Sequence, residues 1–389
     1  MDQPRRPALE GLLVADFSRV LAGPLATMVL ADLGADVIKV ERPEGDDTRA
    51  WGPPWANDGS STYFQSVNRN KRSVVLDLRD AADLALAREL VTRADVMVEN
   101  FRPGSLARLG IDEASLRSAN EGLVWCSLTG FGSSERGAPM PGYDLLIQAV
   151  GGLMSVTGQP DSPPTKVGVA LVDVIAGLFA TVGILSALAE RNRSGLGQRV
   201  DVSLMGALLA GLVNQASGYL GAGHVPGRMG NRHPSIAPYE SFAAADGEIV
   251  VAVGNDRQFA ALCAELGCGP LAADPRFATN PDRVAAREEL FAALSPLFAA
   301  RTRANLTEVL TAVGVPCGPV NDVGEAFALA ESIGLRSIVE MADGLRQTAN
   351  PIALDATPVS YRRAPPALGA DDAAVRAWLA GPPEASLSG

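Results

Sequence analysis

The first half of the chain alternates short apolar runs with amphipathic stretches, the pattern of a parallel sheet covered by helices on both faces. Leu12–Phe17 reads as a strand, and a helix is expected from near Pro24, well placed in a first helical turn, to about Leu33. Asp36–Val40 is the next strand, completing a β-α-β unit. Strands at Ser73–Leu78, Asp95–Val98 and Leu123–Leu128 follow, with helices at Ala81–Arg93 and Asp112–Asn120. A Gly-rich turn, Thr129–Asp144, is too long for a mere connector and rich in residues that let backbone approach a ligand. Helix Tyr143–Val150, strand Gly197–Leu204 and an apolar helix to about Leu220 close this part.

Residues 221–238 are rich in Gly and Pro and carry both histidines, as an interdomain linker or a mobile flap over a site would. A smaller α/β pattern occupies 239–322, with strands Tyr239–Ala243 and Glu248–Val253 about an Asp246-Gly247 turn. Its helices are expected at Asp256–Leu266, Asp282–Leu297 and Arg303–Ala312. Beyond it the pattern turns strand-like to about Tyr361, then gives a Pro-rich loop and a short helix. The expected fold class is therefore α/β, with a large doubly wound domain over 1–220, a linker at 221–238, a small α/β domain over 239–322 and a final segment, 323–389.

One stretch breaks its own pattern. Val167–Ala189 is apolar except for Asp173, its only ionisable side chain. Apolar surroundings disfavour a carboxylate, so Asp173 must be solvated by protein dipoles, paired, or left with a raised pKa. As an N-cap it would end a strand, Val167–Leu171, and start a helix running to about Ala189. A transmembrane helix has the length, but an Asp costs about 2.5–3.5 kcal/mol at mid-membrane, and no second such stretch exists. As a nucleophile, Asp173 would gain from the positive end of the helix, which favours the ionised form. Cap and nucleophile are compatible.

Composition narrows the chemistry. The net charge of −11 argues against nucleic acid or an anionic membrane held by bulk electrostatics. The cysteines (Cys126, Cys263, Cys268, Cys317) show no metal-ligand spacing and MDQPRRPALEG has no apolar signal core, so a reducing cytoplasm is expected. With only His224 and His233, and only Lys39, Lys71 and Lys166, a His-based triad, a metal site or a Schiff base has little material, and carboxylate chemistry is the economical choice. The first β-α turn, SRVLAGP, lacks G-x-G-x-x-G, so a Rossmann-like topology without nicotinamide binding fits. The basic cluster NRNKR (Asn68–Arg72) is either a solvated face or a phosphate clamp.

At RVLAGPLATMVLADLGADVIKVERP (Arg19–Pro43) the chain resembles the class III CoA-transferases, the family of formyl-CoA and dicarboxylate CoA-transferases. NRNKRSVVLDL, DVMVENFRPGSLARLGI, PGYDLLIQAVGGLM, GVALVDVIAGLFA, PYESFAAADGEIVVAVGNDRQFAALC and VPCGPVND continue the resemblance in order over nearly the whole sequence. The resemblance places the family's nucleophile on Asp173. It implies a ping-pong transfer of coenzyme A from an acyl-CoA to a free acid, through an aspartyl anhydride and an aspartyl-CoA thioester. No permanently bound cofactor or metal is implied; the coenzyme A thioester is a substrate. Such chemistry needs positioning, exclusion of water and oxyanion stabilisation.

The family's coenzyme A contacts carry onto Val20, Leu21, Arg42, Asn100, Phe101, Arg108 and Leu109, with Lys71 and Arg72 as further cofactor-binding candidates. Acid binding falls on Arg19, on Tyr143 near the nucleophile, and on Gly230, Asn231 and His233 of GNRHPSIAPY, which stands where formyl-CoA transferases have a glycine run. Those enzymes carry His and Gln where this chain has Arg19 and Leu21, which argues against oxalate or formate, and RVLAGP together with Pro238–Cys263 is most similar to the succinyl-CoA:glutarate type, so a dicarboxylate pair is expected. The resemblance also implies an interlocked, ring-like homodimer whose large domain is completed by the returning segment 323–389. Two alternatives stay open. A 2-methylacyl-CoA racemase shares the pattern but needs two bases, with a His where this chain has Tyr143; a catalytically silent coenzyme A-binding protein would bind and do no chemistry.

Overall fold

A computed structural model describes residues 6–382; the opening residues of the segment judged to lack a signal core lie outside them. The described chain falls into two compact units. One takes the residues up to Leu153, Val167–Gly223 and those from Arg336; the other takes Met154–Lys166 and His224–Leu335.

The first unit is built on a parallel six-stranded sheet, β1 (Leu13–Asp16), β2 (Asp36–Glu41), β3 (Lys71–Val75), β4 (Val96–Glu99), β5 (Val124–Thr129) and β6 (Arg199–Ser203), in the order β3-β2-β1-β4-β5-β6. Successive side chains of a strand point to opposite faces. Val14, Val37, Val96 and Val124 therefore join one core, with helices Ala22–Asp32 and Leu171–Ser194. Ala15, Ile38, Met97 and Trp125 join the other, with helices Ala81–Arg93, Glu113–Ala119 and Asp372–Ala380. Burial on both faces is why the central strands β1, β4 and β5 read as largely apolar runs, and each fully buried Val, Ile or Leu contributes about 1.5–3 kcal/mol. Helix Leu171–Ser194 is long and apolar enough to cross a membrane, yet Val172, Ala176, Ala180 and Ile184 are packed in the first core. At Gly177 it meets the first helix so closely that a Cβ would stand 2.6 Å from the Ala22 carbonyl oxygen.

Several expectations are corrected. No strand forms at Val167–Leu171; the helix begins at Leu171 with Ala170 as its N-cap residue, so Asp173 lies inside the first turn and is not the cap. The apolar helix after β6 is two helices, Leu204–Gly211 and Val213–Ala222, parted where Val213 adopts φ 41°. The stretch after 322 opens as a helix, Val323–Ser332, because Asp322 and Glu325 form a capping box, and only Ile338–Glu340 and Arg346–Thr348 pair as strands.

NRNKR is neither a solvated face nor a clamp. Asn68, Arg69, Asn70, Lys71 and Arg72 are all buried. Arg69 pairs with Asp32 at 2.6 Å and donates to the Thr348 carbonyl, while Asn70 accepts the Arg362 and Arg363 N–H groups. The C-terminal part is thereby fastened onto β3.

The second unit carries an antiparallel sheet, β7 (Tyr239–Ala244), β8 (Gly247–Ala252) and β9 (Cys317–Pro319). Phe242 stacks 4.3 Å from Phe298 and 5.1 Å from Phe291 in its core. The helix expected at Asp282–Leu297 is divided into Asn280–Ala285, which has its own Thr279 capping box, and Arg287–Ala299.

Candidate active site

The strand order reverses between β1 and β4, and at such a switch point the loops leaving the carboxyl ends of the strands part and leave a crevice. Here those loops are Arg19–Leu21 after β1, Asn100–Phe101 after β4 and the Gly-rich turn after β5. They line a cavity of about 250 Å³ together with Tyr143 and Asp173. The Gly-rich turn reaches it because Gly130 and Gly142 pass backbone to backbone; a Cβ on either would lie 2.4 Å from the other's Cα. A second cavity, of about 510 Å³, shares Arg19 and Phe101 with the first and adds Arg42 and Leu109.

Asp173 lines the first cavity, as do Asp47 and Asp144. The cap its helix lacks locally comes from another element. Asp144, the first residue of helix Asp144–Val150, accepts the Val172 N–H at 2.8 Å and the Asp173 N–H at 3.3 Å through one oxygen, and Gln148 Nε2 at 2.6 Å through the other. Gln148 in turn accepts the Val167 N–H at 2.9 Å. Burial, and then the negative charge of Asp144, push the Asp173 carboxyl up to about 7. That reverses the expectation that the helix start keeps it readily ionised: the first-turn N–H groups of Val172 and Asp173 are occupied by Asp144, which adds repulsion. Tyr63 belongs to the same electrostatic neighbourhood, its phenol pushed up to about 12 by burial, Asp173, Asp144 and Asp46. It stands edge-on to Trp51 with ring centres 5.1 Å apart.

The first loop has a specific shape. Val20 has φ 71°, left-handed backbone that a β-branched residue rarely adopts. Asn100 brackets Arg19, accepting its N–H at 2.9 Å and donating to its carbonyl at 2.7 Å. The Arg19 guanidinium lies 5.1 Å from the Phe101 ring centre and 3.9 Å from Asp47, and its Nε is buried with no hydrogen-bond partner among the described residues. Arg42 is held by Asp47 and by the Gly45 carbonyl at 3.1 Å.

The structure thus brings Arg19, Val20, Leu21, Asn100, Phe101, Tyr143 and Asp173 to one cavity and Arg42 and Leu109 to its neighbour. It does not bring Lys71, Arg72 or Arg108 to either. Lys71 is fully buried, donating to Asp16, the Pro24 carbonyl and Asn68, and burial pushes its ammonium down to about 8. Arg72 is buried 3.6 Å from both Asp36 and Asp371. Neither meets a phosphate without unpairing a buried charge. Arg108 points along its own helix to Ser105 Oγ at 2.9 Å.

Gly230, Asn231 and His233 belong to the second unit. Gly230 has φ 63° and closes on Gln159, Asn231 donates to Ser241 Oγ at 3.0 Å, and His233 Nδ1 accepts the Ser235 N–H at 3.1 Å. Among the described residues no group of three or more His, Cys, Asp or Glu is placed to hold a metal ion. Sequence patterns missed Asp144, Tyr63 and Asp47 as site residues. Asp144 had a signal, an acid opening a helix directly after a Gly-rich turn.

Residues 9–372 match the family described as CoA-transferase family III. The chain is 45% identical to the succinate–glutarate CoA-transferase of Agrobacterium fabrum, over 97% of each chain. It is 42% identical to the acetyl-CoA:oxalate CoA-transferase of Acetobacter aceti, over 98% of this chain and 97% of that one. Among solved structures, a CAIB/BAIF family protein from Brucella suis superposes with a TM-score of 0.88 at 44% identity, covering 96% of this chain and 100% of that one.

Proposed function

The chain belongs to CoA-transferase family III, and on that premise we propose that it moves coenzyme A from a dicarboxylyl-CoA such as succinyl-CoA to a free carboxylic acid through covalent intermediates on Asp173. The Asp173 carboxylate attacks the thioester carbonyl, giving a mixed anhydride and coenzyme A thiolate. The thiolate returns to the aspartyl carbonyl, releasing the donor acid and leaving an aspartyl-CoA thioester. An acceptor carboxylate attacks that thioester, expelling coenzyme A thiolate and forming a second mixed anhydride; the thiolate then attacks the acceptor's carbonyl, giving the new acyl-CoA and restoring the free Asp173 carboxylate.

The observation that carries this is the electrostatic isolation of Asp173. Burial and Asp144 both disfavour its anion, and the anhydride and thioester are neutral, so the same surroundings favour the acylated states. Arg19, with its Nε unpartnered beside the cavity, has the charge and planar fork to hold the distal carboxylate of a dicarboxylate. Arg42, Leu109 and Phe101 in the neighbouring cavity are suited to the phosphates and base of coenzyme A. The strand order supports a Rossmann-like description of the large domain. The exposed apolar side chains Leu178, Phe179 and Val182 support an interlocked pair of chains, and free thiols at all four cysteines support a reducing cytoplasm. A solution mass of 40.4 kDa by light scattering overturns the pair.

Incubation with succinyl-CoA alone tests the chemistry. A hydroxylamine-sensitive adduct on the Asp173 peptide by mass spectrometry is expected, and an adduct on another residue sinks the assignment. An acceptor panel that includes glutarate and oxalate then assigns the acid.

A further inference from the structure

The turn joining β1 to the first helix is held by side chains at every main-chain polar group from the Ser18 N–H to the Val20 N–H. Asp16 Oδ1 accepts the Ser18 N–H at 3.0 Å, and Lys39 Nζ donates to the Ser18 carbonyl at 2.9 Å. Asn100 takes both groups of Arg19, as described above. The Val20 N–H points at the Asp46 carboxylate, 3.3 Å from Oδ2 and 3.4 Å from Oδ1. Lys39 and Asp46 are themselves an ion pair, 2.9 Å apart, with both side chains fully buried. One buried pair therefore grips the chain on either side of Arg19, by the carbonyl before it and the N–H after it.

A buried ion pair is a poor device for stability alone, since an apolar pair of similar volume often serves as well. An apolar pair, however, bonds neither a carbonyl nor an N–H, and a Val at φ 71° does not hold that conformation without restraint. Asp46 is fixed in its turn by the Thr48 N–H at 3.0 Å and Thr48 Oγ1 at 2.8 Å, and its own N–H rests on Glu41 at 3.0 Å. The residues whose placement depends on the turn, Arg19 and Leu21, line the same cavity as Asp173. We propose that Lys39 and Asp46 are positioning residues for the CoA transfer proposed above, a role that rests on that function: their buried pair holds the Val20 turn left-handed and so sets Arg19 and Leu21 against the reacting atoms.

The test uses the full chain with Asp46→Asn and, separately, Thr48→Val, measuring steady-state transfer from succinyl-CoA and hydrogen exchange of the free protein. Asp46→Asn keeps an acceptor for the Val20 N–H but loses the pair. It is expected to lower kcat roughly 30- to 100-fold with the KM for succinyl-CoA within about threefold, because a misplaced loop harms the transition state more than ground-state binding. Amides of residues 17–24 are expected to exchange at least about tenfold faster, with those of β4 unchanged. Thr48→Val, milder and retaining the pair, is expected to lower kcat about three- to tenfold with the same signature. Unchanged kcat in folded protein, a loss confined to KM, or unchanged exchange in 17–24 overturns the proposal. If Asp46→Asn does not fold, Thr48→Val decides by the same criteria. If the unsubstituted protein transfers no coenzyme A, the function falls, whereas the exchange of residues 17–24 still decides whether Asp46 holds the turn.

Discussion

Asp16 and Asp173 are two carboxylates of the same unit treated in opposite ways. Asp16 is fully buried, yet it accepts the Ser18 N–H and hydroxyl, the Thr27 hydroxyl at 2.7 Å and the Lys71 ammonium at 3.1 Å. Against the cost of burial, Lys71, Lys39 and those hydroxyls hold its pKa below the ordinary value. Asp173 is less buried and lies in the first turn of a helix, but the nearest charge is another carboxylate, and its pKa stands at about 7. The depth of a charge therefore does not decide its state; the dipoles and counter-charges aimed at it do. Asp16 is fully paired, and Asp173 is left without a counter-charge.

The largest effect comes from erasing the unpaired member. Asp173→Ala should cut transfer on the order of 10⁴-fold or more while coenzyme A still binds, as read by turnover and isothermal titration. Transfer that survives would end the contrast, because Asp173 would then be only a strained structural acid.

Next is the paired member. Lys71→Met takes from the buried Asp16 its hydrogen-bonded counter-charge and should cost about 3–5 kcal/mol in urea unfolding, with no counterpart at Asp173. The two acids also bear on acid stability with opposite sign. Asp16, Asp46 and Glu41 have lowered folded-state pKa values, so their contribution is present above the ordinary carboxylate range and is lost as pH falls through and below it. Asp173, raised to about 7 from an ordinary 3.8, binds its proton more tightly when folded, so its contribution to stability falls as pH rises between those values.

A pH profile sharpens the comparison. With Asp173 as the nucleophile proposed above, transfer needs its anion, so the first half-reaction should rise with pH through about 7. Asp144→Asn removes the second cause of that raised value and should move the rising limb to lower pH. A limb that stays in place assigns the shift to burial alone. The smallest expected effect is a gain. Asp173→Asn removes a disfavoured anion and should raise the unfolding temperature by about 2–4 °C at pH 8, and by less at pH 5, where most of the acid is protonated.

How far these features were legible in the sequence depends on where their partners lie. The sheet was legible because its central strands β1, β4 and β5 are largely apolar on both faces, and Asp173 because one charge interrupts an apolar run. The partners of NRNKR are hidden from local patterns: Asn70 meets the Ser360 carbonyl across 290 positions of sequence, and a basic run seen alone looks like surface. The capping contact of Asp144 was hidden for a related reason, since an N-cap is sought just before its helix and this one arrives from 28 residues upstream of the N–H it receives best. Val20 carries no signal either; its φ follows from Lys39, Asp46 and Asn100 acting together. Lys71 and Arg72 are buried and line neither cavity, a placement that was hidden because charge was legible and burial was not.

The fastening of β3 by the end of the chain also bears on how the protein is made. Asn70 donates its side-chain amide to the Ser360 carbonyl, and Asp371 accepts the Ser73 N–H at 3.0 Å. During synthesis the 290 positions that separate Asn70 from Ser360 take about 15–60 s to emerge. For that interval the edge strand β3, with Lys71 and Arg72 in it and Arg69 just before it, waits on the ribosome without its cover, a substrate for chaperones rather than a finished sheet. A premature stop codon shortly before Ser360 would therefore be nearly as damaging as one in the first hundred codons, although it spares every residue of both cavities.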